Sequence, residues 1–209
     1  MAFSNFTLAS AIADFGLTLS SQPLFAGVPV VGAGPTVHYV LESMGQLAVG
    51  INTDKARSEW LIAPLLGEVW NRGRGTLFVL SGVDFTVDKE KGLTGIVDFM
   101  VGRGPQLSFV FSPSCPILAV VEAKNESIPG GQGQCAAEMV AAQQFNRTAK
   151  TDIDTVYGVV TTGTTWKFHQ LHGTSLVIDT REYLISDVDH IFGILMHIVG
   201  LNPITTNSV

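Results

Sequence analysis

The sequence predicts an α/β fold with a mixed central β-sheet flanked by helices. Three observations predict it. A run of short strand-like segments punctuated by Gly turns fills residues 76–124. Helical periodicity precedes that run at 52–70 and follows it at 131–146. More strands then occupy 156–179, before a closing helix. Helix, strands, helix, strands, helix is the order of a layered α/β or α+β domain. The 209 residues suffice for one domain with a real core, read as 1–209 without a linker or repeat.

Taken in order, "NFTLASAIADFGLTL" reads as a short helix capped by Thr7 or Ser10. Residues 21–50, rich in Gly, Pro and small apolar residues, carry no clear pattern. "NTDKARSEWLIAPLLGEVW" is helical: Asn52, Thr53 or Asp54 can cap it, and Leu61, Ile62, Leu65, Leu66 and Val69 form one stripe. Pro64 is expected to kink it. "TLFVLS", "VDFTVD", "LTGIVDFMVG", "LSFVF" and "ILAVVEAK" read as strands. "IPGGQGQ" reads as a flexible loop, and "GQGQCAAEMVAAQQFN" as the helix after it. "VYGVVTTGTTWKFHQLHGTSLVID" supplies two or three strands, with Trp166 and Phe168 in the core. "SDVDHIFGILMHIVG" is a last helix, capped by Ser186, with Ile191, Ile194, Leu195 and Ile198 inward.

Composition limits the function classes. Hydrophobic residues make up 46 % and charged residues 14 %, which points to a large core and a buried oligomer interface. The apolar last helix suggests a homodimer. No apolar run reaches the roughly 20 residues of a membrane span. The N-terminus lacks a basic region, the first basic residue being Lys55, and Cys115 and Cys135 make no disulfide framework. The expected setting is cytoplasmic. A net charge of −6 argues against gripping nucleic acid by a broadly basic surface. A small site where a bound metal supplies the positive charge remains compatible with it.

The informative residues are charges inside apolar strands. Asp98 interrupts "GIVDFMV". A lone buried Asp costs several kcal/mol unless it is paired or holds a cation. Glu122 and Lys124 end "ILAVVEAK" and share a strand face, with Ala123 on the other. Clustered carboxylates suit a hard cation such as Mg²⁺, held by one or two carboxylates, water and substrate phosphate. A neighbouring Lys can position or deprotonate a water, or steady a phosphate charge. Glu59 borders the buried stripe of the preceding helix.

Asp98 followed by Glu122-Ala123-Lys124 on the next core strand resembles the signature of the PD-(D/E)XK nuclease superfamily. "DKARSEWLIAPLLGEVW" is similar to the start of restriction-endonuclease-like domains, including the nuclease region of type I restriction subunits. "VYGVVTTGTTWKFHQL" resembles their later hairpin. The resemblance covers roughly 52–185. It implies a restriction-endonuclease-like sheet and metal-dependent phosphodiester hydrolysis. Asp98 and Glu122 would ligate Mg²⁺ (or Mn²⁺), the Ala123 carbonyl would add a ligand, and Lys124 would orient or activate water. Glu59 would be an outer or second-metal ligand, and Gln134 or Gln143 would contact the site. Val97 stands where the name-giving Pro would be, and the Gln-x-x-x-Tyr pattern of some branches appears as Gln134-x-x-x-Glu138.

Plainer readings stand beside these. Glu122 and Lys124 can be a strand-end salt bridge without function. Glu59 can simply support its own helix. The same fold can serve as an inactive binding or assembly module of a restriction or mobile-element system. "VVGAGPTV" has the G-x-G of a dinucleotide loop at Gly32 and Gly34, but Val37 replaces the third Gly. A strand before it and a helix after it would support that third reading.

Overall fold

The computed structural model describes residues 2–104, 115–125 and 127–201. The strand expected at "LSFVF" lies outside the described residues. Helix α1 (Leu8–Phe15) is capped by the Thr7 hydroxyl, which accepts from the Ser10 N–H at 3.1 Å. Gly16 then takes φ +62, and the chain becomes strand β1 (Thr18–Gln22). The helix expected over "GLTL" therefore stops one turn early. Helix α2 (Pro35–Ile51) follows, on residues that showed no clear pattern.

Helix α3 (Asp54–Arg57), a π-turn (Ser58–Ile62) and α4 (Ala63–Arg72) follow one another without a break. Thr53 is the cap, its hydroxyl accepting from Ala56 N–H. The π-turn lies immediately before Pro64, whose missing N–H would otherwise interrupt the ladder, and sits where a kink was expected. Leu61, Ile62, Leu65, Leu66 and Val69 are all buried, as their spacing requires.

Strands β2 (Leu77–Asp84), β3 (Ile96–Arg103) and β4 (Ile117–Ala123) form an antiparallel meander. Helix α5 (Ile128–Thr148) returns the chain to β5 (Thr155–Thr161), parallel to β4. Strands β6 (Thr165–His172) and β7 (Ser175–Asp179) continue antiparallel. The short β8 (Tyr183–Leu184) pairs with one end of β6. Helix α6 (Val188–Ile198) closes the described chain. The sheet order is β1-β7-β6-β5-β4-β3-β2, with β1 parallel to β7. This is a mixed sheet flanked by helices, the predicted fold class.

Two hydrophobic cores result, one on each face. Trp166, Phe168 and Phe192 anchor the face covered by α4 and α6. Met100, Val120, Val160 and Met139 belong to the face covered by α1 and α5. Burial of α6 at Ile191, Phe192, Ile194, Leu195 and Ile198 accounts for its apolar character inside one chain. Its cap is not Ser186: Ile185–Asp187 form a 3₁₀ turn, and Asp187 is the residue preceding α6. The segment "VVGAG" runs into α2 without a preceding strand, which removes the support for a dinucleotide loop. Among the described residues, no helix is long and apolar enough to cross a membrane.

The segment "IPGGQGQ" is not a loop. It forms the first two turns of α5, capped by Ser127, whose hydroxyl accepts from Gly130 N–H. Pro129 is tolerated there because first-turn N–H groups have no helical partner. The glycines allow close approach. A Cβ on Gly133 would come within 2.3 Å of the Phe6 carbonyl oxygen, and one on Gly131 within 2.7 Å of Val160.

Candidate active site

The site forms where β3 and β4 separate. Their last paired residues at this end are Phe99 and Val121. One step further, the same register sets Asp98 opposite Glu122. Instead of continuing the ladder, the Asp98 side chain enters the gap: Oδ2 accepts the Ala123 N–H at 2.8 Å. Glu122, 1 % exposed, points to the α5 face with Val120 and Met100. Lys124 follows on the same face, its backbone N–H held by the Thr161 carbonyl of β5 at 2.8 Å.

Lys124 Nζ is 2.5 Å from Glu122 Oε1 and donates to Gln134 Oε1 at 3.3 Å. Gln134 Nε2 donates to Glu122 Oε2 at 2.7 Å and to Glu138 Oε1 at 3.0 Å. Gln134 and Glu138 are one helical turn apart on α5, so one amide serves two acids. The close approach that lets α5 reach the sheet here depends on Gly131: a Cβ would lie 3.2 Å from Lys124 Cγ and 3.4 Å from Glu122 Cγ.

Burial and mutual repulsion govern the charges. Desolvation, then the Asp98 charge, pushes Glu122 up to about 7 despite its ion pair with Lys124. Desolvation also raises Asp98, opposed by the Ala123 N–H and the Lys124 charge. Glu138 is fully buried, and desolvation followed by the Glu122 charge raises it well above the usual carboxylate range. Both effects favour its neutral form. Among the described residues, its Oε2 has no hydrogen-bond partner. Lys124 is pulled down by desolvation, but the Glu122 contact, with Asp98 and Asp54, raises it overall. It therefore stays an ammonium at neutral pH.

The sequence-predicted residues divide. Asp98, Glu122, Ala123, Lys124 and Gln134 converge. Glu59 lies on the exposed surface, paired with Lys55 at 2.8 Å. The acid of that helix whose charge reaches Asp98 and Lys124 is Asp54, read from sequence only as a cap. Gln143 lies nine residues beyond Gln134, about 13 Å along α5. It donates to the Asp154 carbonyl at 3.4 Å and accepts from Arg147. Glu138 was named only as a departure from a motif. Its signal was available: it is the sole charge between Ile128 and Asn146.

Among the described residues, no group of three or more His, Cys, Asp or Glu side chains is set as a metal cluster. The donor chemistry nevertheless suits a hard divalent cation. Two carboxylates from adjacent strands repel one another in a desolvated corner, which a cation would relieve. A larger cavity of about 610 Å³ lies elsewhere, lined by apolar residues such as Leu41, Val49, Leu61 and Val188. A scan against protein-family models finds no match for this chain, and a search of the curated proteins returns no significant relative.

Proposed function

We propose that the chain is a metal-dependent nuclease-like domain that hydrolyses phosphodiester bonds of nucleic acid. The observation that carries this reading is Asp98 facing Glu122 at the open end of two strands, with Lys124 on the same face. Structural salt bridges seldom place two desolvated carboxylates against each other, because the repulsion costs stability. Perturbed acids gathered with one cation are a mark of functional sites.

Asp98 and Glu122 would hold Mg²⁺ or Mn²⁺, with the Ala123 carbonyl as a further oxygen donor. The ion would supply Lewis-acid stabilisation of phosphoryl charge and a more acidic water. Lys124, as an ammonium, donates hydrogen bonds to phosphoryl oxygens as charge builds there, and orients the attacking water. Its raised affinity for a proton makes it a charge stabiliser rather than a base. Gln134 fixes Glu122 and Lys124 in one arrangement. Burial and the Glu122 charge favour a neutral Glu138, so it would add no second charge behind Glu122. Two unpaired cysteines and the absence of a membrane-length helix among the described residues agree with a cytoplasmic role. A homodimer is left without its original motive, since α6 is buried in its own chain.

A second reading keeps the fold and drops the chemistry: a binding or assembly module. It is favoured by the internal engagement of both Glu122 oxygens, one by Lys124 and one by Gln134. Calorimetric titration with Mn²⁺ separates the two. The first reading expects binding to the wild type that is lost in Asp98→Asn. Absence of binding to either protein at millimolar metal favours the module.

A further inference from the structure

Beside the candidate active site is a second, polar cavity of about 360 Å³, lined by Arg57, Asn125, Thr162, Thr164 and Glu182 and by the first residues of α5. It adjoins the catalytic corner directly: Asn125 follows Lys124, and Thr162 follows the Thr161 that anchors the Lys124 backbone. Arg57 is 8 % exposed. Among the described residues, all its acceptors are neutral. Its Nε and one terminal nitrogen donate to Asn52 Oδ1 at 3.1 and 3.0 Å. The other donates to the Thr162 carbonyl at 2.6 Å and to Thr164 Oγ1 at 3.4 Å.

A guanidinium buried to this degree is normally paired with a carboxylate or a bound anion. Here Asn52 and Thr162 orient it, and among the described residues no carboxylate pairs with it. Asn52 itself is fixed by φ +53 at the end of α2, and its carbonyl accepts from Asn125 Nδ2 at 3.4 Å. The N-terminal end of α5 faces the same cavity at Ile128 and Pro129, adding the positive end of a 21-residue helix. Thr162 and Thr164 bring hydroxyl donors. Glu182, exposed at the rim, supplies an opposing charge.

We infer that the Arg57 cavity is a phosphate subsite that seats a phosphodiester group neighbouring the one at Asp98, Glu122 and Lys124. This rests on the nuclease reading and deepens it. The substrate would be a nucleic-acid strand running from the β3–β4 corner across Asn125 toward the β5–β6 turn. One buried guanidinium and a helix end give local grip, which suits a chain whose net charge of −6 offers no broad basic surface.

The test uses the wild-type protein first, in EDTA so that no metal takes part. Inorganic phosphate and a short oligothymidylate are titrated while the Arg57 Nε–H and Thr164 amide resonances are followed by NMR. Both are expected to shift saturably with phosphate and with the oligonucleotide, and not with chloride at equal ionic strength. Arg57→Gln should weaken binding by about tenfold or more, and Arg57→Lys by less. If loss of the Thr162 contact unfolds those variants, Glu182→Gln serves instead. It lies at the exposed rim and should tighten phosphate binding several-fold. Resonances that stay still, or an affinity unchanged in Glu182→Gln, overturn the subsite even if metal-dependent cleavage is found. Saturable shifts with no cleavage by any preparation uphold the subsite and count against the nuclease reading alone.

Discussion

Lys124 Nζ sits 2.5 Å from the carboxylate of Glu122, whose side chain is 2 % exposed while the lysine keeps 29 % of its side chain in solvent. The pair is thus a buried anion held by a half-buried cation. Removing the cation leaves Glu122 desolvated between Asp98 and Glu138. Lys124→Ala is expected to lower unfolding free energy by roughly 1–3 kcal/mol at pH 8 and by clearly less at pH 5, where Glu122 takes a proton instead. Urea denaturation at the two pH values measures this, and an equal loss at both would contradict the burial argument.

The pH dependence has opposed parts: the raised acids Glu122, Asp98 and Glu138 on one side and His169 on the other. Glu122 is raised from 4.5 to about 7, so the folded state binds more protons than the unfolded state across that window. Its contribution to stability is present below pH 4.5 and is lost as pH rises through 7. His169 is buried, and desolvation lowers it from 6.5 to about 4. Its contribution is present above pH 6.5 and is lost as pH falls through 4. Over the shared window the two act in opposite directions. Glu122→Gln mimics the protonated acid, so it should match wild type near pH 4.5 and be more stable near pH 8 by a few kcal/mol at most. Thermal melts across pH 4.5–8 check the difference, and a constant offset would refute it.

Gly131 lies where α5 crosses the site. Gly131→Ala would place a methyl 2.7 Å from Val160 and against the Lys124 and Glu122 stems. A stability loss of about 1–3 kcal/mol is expected from the overpacking. The proposed activity should fall by a larger factor than for a core change such as Gly158→Ala, whose Cβ meets Met139 and Cys135 instead. Matched melts and cleavage assays on both variants decide it.

Asp54 and Glu59 provide a contrast on one helix. Asp54→Asn removes a charge felt by Asp98 and Lys124, and is expected to change metal affinity and activity measurably. Glu59→Ala breaks an exposed pair with Lys55, and should leave activity and stability essentially unchanged. The reverse ranking in metal titrations would restore Glu59 as the helix ligand.

The parts legible in the sequence were those in which charge and apolar period conflict. Asp98, Glu122 and Lys124 stood out because strands that bury both faces rarely spend charged residues. The stripe from Leu61 to Val69 was legible for the converse reason. Strand β1 was hidden because all five of its residues are exposed, which leaves no alternation to see. Helix α2 was hidden because Tyr39, Leu47, Val49 and Ile51 stay exposed, blurring any stripe. The opening turns of α5 read as a loop because glycine signals flexibility locally, whereas here it serves contact with Val160 and the Phe6–Leu8 backbone. Asp54 was overlooked because capping explained it too easily.

The most direct measurement is cleavage of single- and double-stranded DNA with Mg²⁺ or Mn²⁺, comparing wild type with Lys124→Ala. The account predicts metal-dependent cleavage by the wild type that EDTA abolishes, and a loss of at least about a hundredfold in the variant. Equal cleavage by both proteins, or none by a folded wild type on either substrate, would contradict it.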